Sequence, residues 1–502
     1  MIKVPNPVRA PAPADRPADG YALLPFRFLR FDVSQTLLVN DVGEFALVSE
    51  ETFRKLVSHR LDQKSDEFLD LKSRYFVSDN ITPDLLRIIA ERYRLKKNFL
   101  VGFTKLHIFV VTLRCDHSCL YCQVSRQSGN KSKYDMSLDT AERSLQLTFQ
   151  SPAEHITIEF QGGEPLLNFD LIKHVVLRAL EINRRCGKKI DFVIATNLAL
   201  INDEILEFCK AHHIHISTSL DGPAFIHNAN RPRPGHNSYE VTISGIRRAR
   251  EVLGFDRVAA LMTTSRSSLD HPIEIIDEYV KQEFRSIFLR PISPYGFAVR
   301  TRDTTGYEFD KFMQFYKTGL NYIIQLNRQG INFQEAYAKI LLTKILTPFA
   351  TRYVDLQSPA GLGVGVVVYN YDGDVYASDE ARMLAEMRDY RFRLGNVHKN
   401  SYRELFLSDA LRSTLPASCV ETLPGCSDCA FQPYCGTDPV YHHTAQGDMF
   451  GHRPTSEFHK KNFNIIKLLF QYMFDDPAVR EIFIAWSMDR NVKKVKPEKV
   501  SI

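Results

Sequence analysis

Cys115, Cys119 and Cys122 fall in VTLRCDHSCLYCQVSR, residues 111–126, although the whole 502-residue chain holds nine cysteines. Three thiolates in one short loop form a ligand set, and thiolates select soft metals. Two metals suit them. Structural zinc is one, with His117 as a fourth ligand, but zinc ligands usually come from two separated knuckles that close a tetrahedron. A [4Fe–4S] cubane is the other and the favoured reading. Each iron takes one thiolate, so three cysteines leave one iron open to something else.

A second group, Cys419, Cys426, Cys429 and Cys435, lies in CVETLPGCSDCAFQPYC. Four thiolates suffice for one closed cluster, or for zinc. Cys186 and Cys209 lie on helical patterns and read as buried structural thiols. An odd cysteine count without a hydrophobic export segment points to metal rather than disulfides, in a reducing cytoplasm.

The elements that must position these groups follow from periodicity. Six apolar runs, LHIFVVTL (106–113), HITIEF (155–160), IDFVIATN (190–197), HIHISTSL (213–220), RVAALMTT (257–264) and SIFLRPIS (286–293), alternate with helical patterns. One of these is FDLIKHVVLRALEINRRCG, which Gly187 stops. Such alternation predicts parallel strands with helical crossovers, in an open or partial (β/α) barrel. Loops at the carboxyl ends of its strands carry the chemistry, and the cysteine loop follows the first strand.

Residues 21–100 read as a small α+β module: short strands at LLPFRFLRF, TLLVN and FALVS, then a helix capped by Ser49. Residues 306–347 are helical in pattern, 356–460 irregular, and NFNIIKLLFQYMF forms a last helix. Residues 1–20 carry five prolines and read as a disordered end, as does the tail KKVKPEK. A net charge of +5 argues against a nucleic-acid binder, and no apolar run is long enough for a membrane span.

The C-x3-C-x2-C motif, with Tyr121 before its last cysteine, resembles the radical S-adenosylmethionine (radical SAM) superfamily. The resemblance implies a partial (β/α)6 barrel and a [4Fe–4S] cluster whose open iron is chelated by S-adenosylmethionine. Reductive cleavage then yields a 5′-deoxyadenosyl radical. QGGEPLLNF (161–169) resembles the family's methionine-amino site. Gly162 and Gly163 let backbone approach a ligand, and Glu164 can accept from an ammonium group. A tight turn is the plain alternative there. ATNLAL (195–200) resembles the T-N-G stretch, with leucine at 198 where glycine is usual, and implies Asn197 as a ligand. STSLDGPAFIHNANRPRP resembles peptide-modifying members, implying Ser219 and Arg231 as S-adenosylmethionine ligands. Asp221 equally suits a turn cap, and Arg231 a surface position.

CSDCAFQPYC resembles the SPASM extension, which houses auxiliary clusters. Ser358 and Ser378 stand where that family has cysteines, so one auxiliary [4Fe–4S] cluster is expected, with Cys419 or His459 as fourth ligand. Asp379 matches a proton acceptor of sulfatase-maturing relatives. Across nearly its whole length the chain resembles the His-Xaa-Ser system radical SAM maturases. That implies a small protein or peptide substrate with His-Xaa-Ser repeats, a second radical SAM enzyme as partner, and an electron donor such as flavodoxin or ferredoxin.

The domain layout on this basis is 1–20 disordered, 21–100 a peptide-recognition element or structural cap, 101–305 the radical SAM barrel, 306–355 a helical connector, 356–460 a SPASM-like cluster domain and 461–502 a helix with a basic tail. Two other functions fit the residues less well: a radical enzyme acting on a small molecule or RNA, and a non-catalytic iron–sulfur or zinc protein. General acid–base catalysis contributes about 10²–10⁴-fold, too little to break an unactivated C–H bond, so a radical mechanism matches the motif.

Overall fold

A computed structural model describes residues 20–351 and 353–492; the start expected to be disordered (1–19) and the basic stretch 493–499 lie outside the described residues. Contacts divide the chain into two compact units, one running to Lys96 and including Asp428–Pro433, the other holding the remainder.

In the smaller unit, β1 (Ala22–Leu23) pairs antiparallel with β5 (Val77–Ser78). β2 (Phe26–Arg30), β3 (Gln35–Asn40) and β4 (Phe45–Ser49) form an antiparallel sheet in that order. Ser49 opens the helix Glu50–Val57, its hydroxyl oxygen accepting from the Thr52 N–H at 3.0 Å. Glu50 and Glu51 in the first turn complement the helix dipole. Leu38, Leu56, Phe68, Leu71 and Phe76 close one core. Leu38 is fully buried there, so Leu38→Ala should cost about 2–5 kcal/mol. Hydrogen exchange should read the loss in this unit's amides, and unchanged protection would refute the packing described.

The larger unit is built on an eight-stranded sheet. β6 (Leu106–Thr112), β7 (His155–Gly162), β8 (Lys189–Ala195), β9 (His215–Ser219) and β10 (Val258–Leu261) lie side by side in chain order, all parallel. Helices join them, among them Phe169–Cys186, which ends at Gly187 with φ +66°. β7 shows the governing pattern: Ile156, Ile158 and Phe160 are buried, while Glu159 and Gln161 turn to the opposite face.

The sixth expected strand departs from this order. Only Ser286–Ile287 (β11) is extended and paired, and its partner is β12 (Gln334–Glu335), outside the main sheet. Pro291 has no N–H to continue a ladder. The segment still runs past β10, with the Thr264 N–H donating to the Arg290 carbonyl at 2.8 Å.

Residues expected as a separate irregular region also contribute to the sheet. β13 (Val366–Tyr369), every residue buried, lies parallel to β6, and β14 (Asp374–Tyr376) and β15 (Arg393–Asn396) extend it antiparallel. Its apolar run VVVY suits a strand covered on both faces. Near the end, a helix at Pro477–Ser487 follows Glu457–Asp475. Its start was signalled by Asp476-Pro477: Asp476 caps the helix and Pro477 occupies its first position. Trp486 is fully buried and donates to Asn327 at 3.3 Å. Among the described residues no helix is long and apolar enough to cross a membrane.

Candidate active site

The loop after β6 carries the three cysteines, and distant segments hold it. Arg114 at its start makes a two-pronged pair with Asp135 at 2.6 and 2.7 Å. The N–H groups of Ser118 and Leu120 donate to the carbonyls of Pro232 and Asn230, and the Cys122 carbonyl accepts from Phe297 N–H. Arg382 donates to the Val124 carbonyl at 3.0 Å. A loop without regular structure thus gains fixed geometry from four other parts of the chain.

Gly162 and Gly163 explain how β7 fits against it. The Gly163 N–H donates to the Thr112 carbonyl at 2.8 Å, and the Glu164 N–H to the Arg114 carbonyl at 2.7 Å. A Cβ on Gly163 would lie 2.2 Å from the Arg114 carbonyl oxygen. Close approach is needed here, but to the cysteine loop's own backbone. Gly163→Ala should break both bonds, at about 1–3 kcal/mol each, and lower iron loading after anaerobic reconstitution. Gly129→Ala, where the new methyl meets nothing, is the neutral control. Equal loading of the two variants would refute this role.

Cys115, Cys119 and Cys122 all line one cavity of about 260 Å³. Tyr121, Gly162, Gly163, Asn197, Ser219, Arg231 and Asp379 share its walls. Glu164 does not. It is fully buried behind the wall, and protein donors already occupy both its oxygens. The Thr196 hydroxyl and Leu166 N–H reach Oε1 at 2.7 and 3.0 Å, and the Asn197 N–H reaches Oε2 at 2.9 Å. Its carboxylate positions the loop after β8. Burial pushes its carboxyl up to about 7.

His117 is likewise committed elsewhere. Its Nε2 pairs with the Ser238 hydroxyl at 2.9 Å, and its Nδ1 lies 3.0 Å from Asp116 and 2.9 Å from the Asn197 amide. It is not free to be a fourth ligand. Leu198, where glycine is usual, adopts the left-handed conformation that glycine favours, with φ +64°. The backbone shape is therefore kept, and Asn197 stays at the cavity.

Arg231 is no surface residue, and Asp221 is no mere turn cap. Asp221 is fully buried and accepts from Arg231 Nε at 3.0 Å and Nη2 at 3.2 Å. It also accepts from the Tyr121 hydroxyl and the Thr263 N–H. The guanidinium stands 5.4 Å from the Tyr121 ring centroid. Burial alone would raise the Asp221 carboxyl, but the Arg231 charge holds it below the ordinary carboxylate range. Burial pushes the Cys119 thiol up to about 12, partly opposed by Arg231.

Several wall residues escaped the sequence reading: Glu159, Gln161, Arg126 and Arg290. Strict alternation along HITIEFQG was the available signal for Glu159 and Gln161, because a buried parallel strand normally presents apolar residues on both faces. The Gln161 amide donates to Glu159 at 2.7 Å. Burial, with the nearby Asp379 charge, raises the Glu159 carboxyl above its ordinary range. Asp379 accepts from Arg382 at 3.2 Å.

The donor set fits an iron–sulfur cluster with a polar ligand. Three thiols line one space. Two buried polar atoms on the walls, Thr218 Oγ1 and Arg126 Nε, have no hydrogen-bond partner. Buried atoms of that kind normally have partners, which a polar ligand would provide.

Of the C-terminal thiols, Cys426 and Cys435 interact electrostatically with each other and with Arg453. Arg453 also neighbours His459, whereas Cys419 sits near Lys97 and Glu421. Cys429 belongs to the Asp428–Pro433 stretch of the smaller unit. Cys209 is buried as expected, but Cys186 is exposed, at the last residue of its helix.

Residues 109–280 match the model of the Radical SAM superfamily. An uncharacterized protein of Methanocaldococcus jannaschii is 37% identical over 115 residues, 23% of this chain and 38% of that protein. The cysteine-type anaerobic sulfatase-maturating enzyme of Clostridium perfringens is 24% identical over 312 residues, covering 58% of this chain and 77% of that enzyme. The chain spans well under half the length of the first curated relatives it matches, at 38%, 44% and 36%. The solved structure of native anSMEcpe with bound AdoMet and Kp18Cys peptide matches with a TM-score of 0.61 at 18% identity, over 77% of this chain and 99% of that one. At that identity the likeness is one of fold.

Proposed function

We propose, for a chain carrying a Radical SAM domain at residues 109–280, that the protein is an enzyme that modifies a polypeptide by abstracting hydrogen from an unactivated carbon. One observation carries this: Cys115, Cys119 and Cys122 line the same cavity as the Gly162–Gly163 turn, Asn197 and Ser219. Those thiols would hold a [4Fe–4S] cluster, and the Gly162–Gly163 turn with Asn197, Ser219 and Arg231 would receive S-adenosylmethionine. When bound, that pair supplies a 5′-deoxyadenosyl radical.

The chain's own residues do the rest. Walls from β7, β8 and β9 exclude water and hold one substrate C–H in place. Thr218 and Arg126 offer the unpartnered polar atoms that orient a ligand. Asp379, which lines the same cavity, would accept a proton from the modified residue.

A polypeptide substrate is supported by the peptide-bound structure of similar fold and by the sulfatase-maturating relative. The finer reading is a partner with His-Xaa-Ser repeats, modified alongside a second radical SAM enzyme, with reduction by flavodoxin or ferredoxin in the cytoplasm. In it Cys419, Cys426, Cys429 and Cys435 serve one auxiliary cluster in a SPASM-like region at 356–460, with His459 as the alternative fourth ligand.

Anaerobic reconstitution with iron, sulfide and dithionite, followed by S-adenosylmethionine, should yield 5′-deoxyadenosine. Coexpression with a His-Xaa-Ser partner should produce a mass change in that partner. A cysteine loop saturated by one zinc ion, with no nucleoside released, would overturn the proposal.

A further inference from the structure

A second cavity, of about 110 Å³, adjoins the first. Arg290 lines both, and the helix Asp379–Glu386 presents Asp379 to one and Glu380 to the other. Whatever occupies the second cavity therefore sits next to the radical site.

Its wall is largely aromatic, with a group of acidic side chains among the rings. Phe288, Tyr307, Phe312 and Tyr441 supply ring faces. Asp355, Glu380, Asp438 and Glu457 supply four carboxyls, against two cations, Arg290 and Lys461. Lys461 is already engaged, with its ammonium 4.8 Å from the Tyr337 ring centroid and 5.2 Å from that of Phe458. Asp438 uses Oδ1 to cap its own helix, accepting from the N–H groups of Val440 and Tyr441 at 2.9 and 3.0 Å. Acidic groups thus outnumber basic ones in a space walled by rings. Burial and the Asp355 charge raise both the Glu380 and the Asp438 carboxyls.

Tyr295 makes this more than an acidic cluster. It lines the cavity, is 1% exposed, and its hydroxyl has no hydrogen-bond partner among the described residues. Asp438 and Glu380 are its nearest strong electrostatic neighbours. A buried hydroxyl left unpaired is destabilising, and an occupant with an N–H group removes that cost. Aromatic faces and carboxylates together are the surroundings that attract an organic cation.

We propose that this second cavity binds a cationic nitrogen side chain of the polypeptide substrate, its N–H groups donating to Glu380, Asp438 and the Tyr295 hydroxyl oxygen. The identity of the occupant rests on the polypeptide reading above. The pocket anchors one basic residue so that a neighbouring residue enters the larger cavity. Specificity of this kind comes from buried polar groups that stay unpaired when the wrong side chain is offered.

Saturation-transfer NMR on the anaerobically reconstituted full-length protein tests it directly. The probes are the peptides acetyl-Gly-Gly-X-Gly-Gly-amide with X as His, Lys, Arg or Gln. At least one cationic probe should bind about tenfold more tightly than the Gln probe, the size expected of one charge-assisted hydrogen bond. The cationic probe that wins tells imidazolium from alkylammonium and guanidinium. Glu380→Gln with Asp438→Asn should bring it down to the Gln level. Tyr295→Phe, which keeps the ring and the packing, should weaken it by about fivefold, so the proposal stays testable if the double variant misfolds. Equal binding of all four probes, or full binding by Tyr295→Phe, overturns it. 5′-Deoxyadenosine measured on the same preparation separates the two readings. Release of the nucleoside without cation preference sinks this pocket alone, whereas cation preference without release sinks the radical reading and leaves the pocket assigned.

Discussion

Cys119→Ala forms no 5′-deoxyadenosine above the protein-free background, and its reconstituted iron content falls with it. The reason lies in the shortage of substitutes. Each of the three protein-held corners of the cubane needs its own thiolate, and the histidine of the same loop, His117, has both ring nitrogens committed to Ser238 and to Asp116 with Asn197. Water cannot easily replace the thiolate, because the Cys119 environment is buried enough to push the free thiol up to about 12. No ionic route rescues the reaction, since acid–base groups contribute about 10²–10⁴-fold at most. Cys186→Ala is the control: its thiol is exposed at a helix end, and that variant retains full activity. Wild-type nucleoside release from Cys119→Ala would remove the cluster from the mechanism.

The second large effect is on stability. Asp221→Ala leaves the Arg231 guanidinium, whose side chain is 12% exposed, without its counter-charge. The same change strips partners from the Tyr121 hydroxyl and the Thr263 N–H. Removing one member of a buried ion pair costs about 3–5 kcal/mol. Asp221→Asn keeps an acceptor and should cost less. Asp221→Leu combined with Arg231→Met should recover much of the loss, because apolar replacement of both partners is often nearly neutral. Urea unfolding of the larger unit measures all three variants against wild type. If Asp221→Ala stays within about 0.5 kcal/mol of wild type, as ordinary surface changes do, the network does not support the loop. A drop in iron loading should accompany the destabilisation, since Tyr121 lies between Cys119 and Cys122.

The comparison of strands shows how far periodicity reaches. Five apolar runs became neighbours in one parallel sheet because each is β-branched, short and followed by an amphipathic helix. The sixth did not, because Pro291 interrupts its ladder, and β13 came from a region with no helix-strand rhythm to announce it. Asp379 was picked out by resemblance and does line the cavity, but Glu159 beside it was hidden inside a run read as simply apolar.

What the residues determined by themselves is local: three thiols within eight positions, a helix start at Ser49, and a stop at Gly187. Those features depend on neighbours a few bonds away, so chain order suffices to read them. Folding alone decided that Glu164 faces inward to Thr196 and Asn197, and that Arg231 meets Asp221 under Tyr121. It likewise made Arg290 common to two cavities. Each joins residues far apart along the chain, and which way a side chain turns there is set by the packing of whole elements.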